Sequence, residues 1–127
     1  MAQDYLSIEQ QVRNRLSQCL GVNLVKMKLN VYDNLMHEFD GVSPSGDILV
    51  EIKASNIPQK GQLRHTQLAE MSEACLLMLS VKSAKRRILA ISDPSFYNKF
   101  INTMQAGAAL MLGIEIILCN PNDACLC

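Results

Sequence analysis

HEFDGVSPSGDILVEIK, residues 37–53, is the stretch on which the reading of this chain turns. Two runs of alternating apolar and polar residues flank Ser43-Pro44-Ser45-Gly46, a strong turn signal, so the stretch predicts a β-hairpin with strands over 36–42 and 47–54. Yet Glu38, Asp40, Asp47, Glu51 and Lys53 crowd these strands. Like charges facing each other across a strand pair cost a few tenths to about 1 kcal/mol each, so the crowding needs a reason.

A symmetric four-residue turn sets Val42 opposite Asp47, Gly41 opposite Ile48, Phe39 opposite Val50 and His37 opposite Ile52. One face then holds Phe39, Ile48, Val50 and Ile52 and points to the core. The other holds Glu38, Asp40, Leu49, Glu51 and Lys53, with Glu38 across from Glu51 and Asp40 diagonal to it. A one-residue slip would bury the acids, so the apolar pattern fixes where they cluster. Partly covered carboxylates need a counter-charge or titrate upward. Lys53 supplies one positive charge, and oxygen-only ligands suit a hard divalent cation such as Mg²⁺. A solvent-facing outer strand would carry the same alternation, and on spacing alone that reading stays open.

Outward from the hairpin the pattern is regular. Tyr5, Ile8, Val12, Leu16 and Cys19 recur at three and four, predicting a helix over 4–20 stopped by Gly21. Residues 23–32 alternate, with Val25, Met27, Leu29 and Val31 on one face and Leu24, Lys26, Lys28 and Asn30 on the other. Pro58 and Gly61 mark 56–61 as a loop. A helix follows over 62–82 with Leu68, Met71, Cys75 and Leu79, and a buried strand over 85–92. Asp93-Pro94 opens a helix to about Met111 that buries Tyr97, Ile101, Met104 and Ala108. A last strand covers 114–119. The order αβββαβαβ implies an α/β fold with a mixed central sheet flanked by helices. Residues 1–119 read as a single domain and 120–127 as a loose tail.

The chain has 127 residues, 49% of them hydrophobic and 19% charged, enough for a core and unlike a disordered tail. Its 12 basic residues balance 12 acidic ones, so any nucleic acid must be held by a local patch. The apolar run 106–119 contains Gly113 and Glu115 and falls short of a membrane span, and the first ten residues have no apolar signal core. Five cysteines (Cys19, Cys75, Cys119, Cys125 and Cys127) without a CxxC pair fit free thiols in the cytoplasm or another reducing intracellular compartment. Neither His37 nor His65 stands at zinc-ligand spacing from a cysteine.

Asp40, followed eleven residues later by Glu51-Ile52-Lys53 across a hairpin, resembles the PD-(D/E)xK motif of the restriction-endonuclease-like nuclease superfamily. That family's core is αβββαβ, and residues 4–92 follow the order. The resemblance implies a metal-dependent nuclease hydrolysing phosphodiester bonds in DNA. The equivalents of Asp40 and Glu51 bind Mg²⁺, for which Mn²⁺ substitutes, and the metal activates water and neutralises phosphate charge. The equivalent of Lys53 stabilises the charge that develops. Period-two alternation explains the one-residue gap between Glu51 and Lys53, which must share a face. The proline that often precedes the aspartate is Phe39 here.

Glu9 on the first helix and Glu38 are further candidate metal ligands; a solvated helix residue is the plainer account of Glu9. The second helix offers Gln67, by analogy with some family branches, and His65 as auxiliary groups. Lys60, Arg64, Lys85, Arg86 and Arg87 are candidate nucleic-acid contacts. The chain's small size points to a homodimer or a subunit of a larger complex. Two other readings compete: a catalytically silent nuclease-like binding or assembly module, and a structural α/β domain with a chance motif. The thin basic patch favours the module, and the intact Asp40, Glu51 and Lys53 set argues against it.

Overall fold

The structure, a computed structural model, describes residues 7–54 and 62–122. Ser7 caps the first helix, α1 (Ile8–Leu20), its hydroxyl accepting from Gln10 N, and Gly21 closes it with φ 70°. The helix therefore starts at Ile8, later than periodicity alone suggests; Tyr5 lies outside the described residues. Three strands follow, β1 (Val25–Tyr32), β2 (Leu35–Val42) and β3 (Ile48–Lys53), then α2 (His65–Ser80), β4 (Arg86–Ile91), α3 (Pro94–Phe100), α4 (Met104–Met111) and β5 (Ile114–Leu118). The sheet order is β1-β2-β3-β4-β5. β1, β2 and β3 form an antiparallel meander, and β3, β4 and β5 run parallel. This is the mixed α/β architecture expected from the element order.

Both faces of the sheet are apolar, each for its own helices. Val50, Ile88 and Ala90 pack with Val12 and Leu16 of α1. Leu49, Leu89 and Ile91 pack with Met71, Cys75 and Met78 of α2, Phe96 and Phe100 of α3, and Ala106 and Ala109 of α4. Both parallel crossovers thus lie on one face, as connections of one hand between successive strands require. β1 is an edge strand. Val25 and Met27 stay exposed, while Leu29 and Val31 pack against the α2-side core.

Four expectations need correction. The single helix over 94–111 is two helices. The Thr103 hydroxyl donates to Phe100 O and accepts from Ala106 N, closing α3 and opening α4. The new phase buries Phe96, Phe100, Ala106 and Ala109 and leaves Met104 87% exposed. The hairpin register is also different. Gly41 pairs with Val50 and Val42 with Leu49, two residues away from the symmetric-turn pairing, because Ser43 N bonds Ile48 O and four residues form the loop between them. Next, Phe39 does not share a face with Ile48, Val50 and Ile52. It packs with Leu49 in the α2-side core, so the face of β3 that carries Glu51 and Lys53 is covered by α2 rather than left open to solvent.

The cause is a β-bulge. Val25 pairs with Val42 but Met27 with Phe39, so three residue steps on β2 span two on β1. The extra residue at Asp40-Gly41 breaks the alternation and puts Phe39 and Val42 on the same side. Glycine fits there because a Cβ on Gly41 would stand 3.3 Å from Val50 Cβ and 3.4 Å from Leu24 Cβ.

The fourth correction concerns the thiols. Cys19 and Cys119 are each engaged in a disulfide, while Cys75 is a buried free cysteine. Cys125 and Cys127 lie outside the described residues, as does residue 123 onward of the expected tail. Pro121 is described, and its carbonyl accepts from Arg15 Nη2 at 2.9 Å, joining that segment to α1. Among the described residues no helix is long and apolar enough to cross a membrane.

Candidate active site

The bulge re-aims Asp40 at the point where β2 and β3 part. Past the Gly41–Val50 pair the main-chain ladder is replaced by side chains. Asp40 N donates to Glu51 Oε1 at 3.2 Å, and Ile52 N donates to Asp40 Oδ2 at 2.8 Å. Each carboxylate thus takes the place of a carbonyl in the ladder, which fixes both side chains to the backbone. Glu51 Oε2 accepts from His37 Nε2 at 3.2 Å, and the His37 ring stands edge-on to Phe39. Arg13 Nη1 donates to Asp40 O at 3.3 Å and to Glu9 Oε2 at 3.0 Å. Among the described residues, Oδ1 of Asp40 has no hydrogen bond.

Asp40, Glu51 and Lys53 line one cavity of about 180 Å³, together with Glu70, Met71 and Leu89. The cavity opens beside the carboxyl end of β3, where Ser92 N donates to Lys53 O at 3.0 Å and holds the strand end against β4. Where strands of an open α/β sheet run parallel, as β3, β4 and β5 do, this is the end at which ligands are commonly bound. A second cavity of about 170 Å³ lies between α2 and α4 among Leu76, Leu79, Phe100, Ala108 and Leu112, and no charged side chain lines it.

The electrostatics of the first cavity are unbalanced. Three carboxylates share one ammonium. Burial, and then the charge of Asp40, push Glu51 up to about 6, against the hydrogen bonds from His37 and Asp40 N. Burial also raises Asp40, opposed by the Ile52 N–H, reinforced by the charge of Glu9, and opposed again, more weakly, by the charges of Lys26 and Arg13 outside the cavity. Glu51 reaches further still: after burial, its charge helps push the Cys75 thiol up to about 11. A cluster that resists ionisation in this way is relieved by a cation.

The oxygen-only donor set fits Mg²⁺, which commonly takes one or two protein carboxylates and completes its shell with water and phosphate. A carboxylate oxygen that accepts one hydrogen bond keeps a second lone pair for such an ion. Among the described residues no group of three or more His, Cys, Asp or Glu side chains forms a ready-made metal cage. The fit is therefore to an ion held by Asp40 and Glu51 with non-protein ligands.

Other residues expected at the site go elsewhere. Glu9 sits on the α1 side of Asp40, paired with Arg13 and with Lys26 Nζ at 3.1 Å, and does not line the cavity. Glu38 is exposed and faces Lys28 across β1 rather than Glu51. Gln67 is buried and accepts from Arg64 N at 2.9 Å, capping α2. It stands apart from the cavity, as does the exposed His65. Lys60 lies outside the described residues, and Arg64 is exposed at the start of α2.

Lys85, Arg86 and Arg87 are at the opposite end of the sheet. Arg86 pairs in register with Ile48, five residues before Lys53, roughly 16 Å away at the rise of a strand. Both guanidiniums are engaged internally. Arg86 forks onto Glu115 at 2.7 and 2.9 Å, and Arg87 donates to Met78 O and Val81 O at 2.7 Å each. Arg86 and Arg87 therefore brace the scaffold, while Lys85 is exposed, with Asp47 Oδ2 4.0 Å from its ammonium.

Sequence reasoning missed Glu70 and the pairing of His37 with Glu51. Glu70 comes from α2, where residues 70, 71 and 74 share a face that lines the cavity, and its carboxylate forms an ion pair with Lys53 Nζ. The available clue was helical phase: Glu70 flanks the buried stripe Met71, Cys75 and Met78. Set against known proteins, the chain matched no family profile, no curated protein and no solved structure.

Proposed function

We propose that this chain is a metal-dependent nuclease of the PD-(D/E)xK type, hydrolysing phosphodiester bonds in DNA. The observation that carries the reading is the convergence of Asp40, Glu51 and Lys53 on one cavity with too little positive charge for its carboxylates. Asp40 and Glu51 would hold Mg²⁺, or Mn²⁺ in its place. Such an ion supplies Lewis-acid charge at the phosphate and lowers the pKa of a bound water. Asp40 is anchored through Oδ2 and offers Oδ1. Glu51 is oriented by two hydrogen bonds from the facing strand β2, one from Asp40 N and one from His37 Nε2. Lys53 presents its ammonium to the non-bridging oxygens, where negative charge grows as water attacks. Burial of Leu89 and Met71 behind the site lowers the local dielectric and strengthens each of these interactions.

A test combines two measurements on the full chain. Mg²⁺ or Mn²⁺ should raise the unfolding temperature of the wild type and leave Asp40→Asn unmoved. Supercoiled plasmid should be nicked only with the metal present, and Asp40→Ala and Lys53→Ala should lose nicking while remaining folded. No stabilisation and no nicking would sink the reading.

One observation favours a second reading, a catalytically silent nuclease-like binding or assembly module. Arg86 and Arg87 are used internally, so less basic surface is left for a substrate. A folded wild type that nicks no plasmid at any Mg²⁺ or Mn²⁺ concentration would select that alternative.

A further inference from the structure

The cavity contains a charged side chain that the proposed chemistry does not require. Glu70 reaches from α2 and pairs with Lys53, although Lys53 already faces the carboxylates of the hairpin. The two partners differ in setting. The Lys53 side chain is 18% exposed and the Glu70 side chain 60%, so the carboxylate comes at the ammonium from the solvent side. A substrate must approach from that same side. A phosphodiester oxygen carries the same charge as a carboxylate oxygen and competes for the same N–H donors.

The charge balance points the same way. With Glu70 seated, the ammonium is spent and the cavity presents only excess negative charge to an incoming anion. With Glu70 swung out, Lys53 is unpaired, and Asp40 and Glu51 remain as the two carboxylates that match a dication. The movement is small. Exposed ion pairs are weak, and a glutamate side chain can leave through its own rotamers without displacing its helix.

We propose that Glu70 is a displaceable counter-ion that occupies the phosphate subsite at Lys53 in the free protein, and that the substrate phosphodiester takes its place. The inference rests on the nuclease reading for the identity of the substrate. It does not need that reading for the exchange of one oxyanion for another.

Two measurements on the full chain test it. Inorganic phosphate, titrated by calorimetry without metal, should bind Glu70→Gln about two- to fivefold more tightly than wild type, the range set by an exposed pair. The gain should vanish in Lys53→Met/Glu70→Gln. In Mg²⁺, nicking by Glu70→Gln should show kcat/KM raised by a similar factor through a lower KM. Equal or weaker phosphate binding would overturn the proposal. So would a fall in kcat that Glu70→Asp restores, since Glu70 would then serve the reacting centre itself. Tighter phosphate binding with no nicking by any variant would leave the counter-ion role standing and remove the nuclease reading. Nicking by wild type without the phosphate gain would do the reverse.

Discussion

The two ends of the β3–β4 pair hold similar residues in opposite conditions. At the amino end Arg86 is matched by both oxygens of Glu115, and Arg87 by two carbonyls at the close of α2. At the carboxyl end three carboxylates share one lysine, and burial with mutual repulsion pushes Glu51 up to about 6. Sequence shows charge clusters at both places and offers both as functional, the acidic one as a metal site and the basic one as a nucleic-acid contact. What separates scaffold from site is whether the charges are neutralised in fixed geometry. Unneutralised charge in a partly buried cleft costs stability and is the commoner mark of a binding or catalytic centre.

The largest expected effect lies at the unbalanced end. Lys53→Ala should lower kcat/KM for plasmid nicking by at least about 100-fold, the scale for removing one group that stabilises developing charge. Circular dichroism should show the fold retained. The matching change at the balanced end, Arg87→Ala, should leave kcat/KM per folded molecule within about twofold of wild type. If Arg87→Ala instead weakened DNA binding while stability held, the two ends would not divide as described.

Arg87→Ala should show itself in stability. Its guanidinium donates two hydrogen bonds to carbonyls where α2 ends, and losing a charged donor to such groups costs about 1–3 kcal/mol. Urea unfolding should show a lower midpoint with an unchanged slope. Arg87→Lys would recover little, because one ammonium does not reproduce the two-pronged fork.

Glu51→Gln should move stability the other way. The folded state raises Glu51 from 4.5 to about 6, so folding favours the protonated acid. The wild type is then more stable below about pH 4.5, and this contribution is lost as pH rises toward about 6. At pH 7 the ionised carboxylate weakens the fold by on the order of 1–2 kcal/mol, which the neutral amide removes while its oxygen still accepts from Asp40 N. Unfolding followed at pH 4 and pH 7 should show the variant gaining only at the higher pH. Saturating Mg²⁺ should stabilise the wild type and narrow the difference.

How much of this was legible before the coordinates follows from the kind of pattern involved. Strand and helix order could be read, because the alternation in 25–31 and the four-residue spacing of Val12, Leu16, Met71 and Cys75 are local signals, although on the edge strand the alternation reports burial only at Leu29 and Val31. That Glu51 and Lys53 share a face could also be read, since a two-residue shift of register preserves the faces of β3, whereas the aim of Asp40 depends on the bulge. The bulge at Asp40-Gly41 could not: it depends on β1 pairing from the far side, and a lone glycine in a strand does not say how its partner is phased. Nor could Glu70, which is local to nothing in the hairpin and arrives only when α2 docks. The fate of Arg86 depended on Glu115, twenty-nine residues away on β5. Properties carried by local periodicity survive the step from sequence to structure; properties set by long-range pairing do not.

The smallest expected effect tests the balanced end by itself. Arg86 and Glu115 sit at the sheet margin with side chains 41% and 39% exposed, so water screens their attraction despite the bidentate geometry. A double-mutant cycle of Arg86→Ala and Glu115→Ala should give a coupling of about 0.2–1 kcal/mol, falling as salt rises. Glu115 lies beside Ile88 in the β4–β5 register, so each single variant also perturbs strand packing, and only the coupling term isolates the pair. A coupling well above this range that persists in high salt would mean that the amino end is held as tightly as a buried site. The contrast between the ends would then reflect rigidity as much as charge balance.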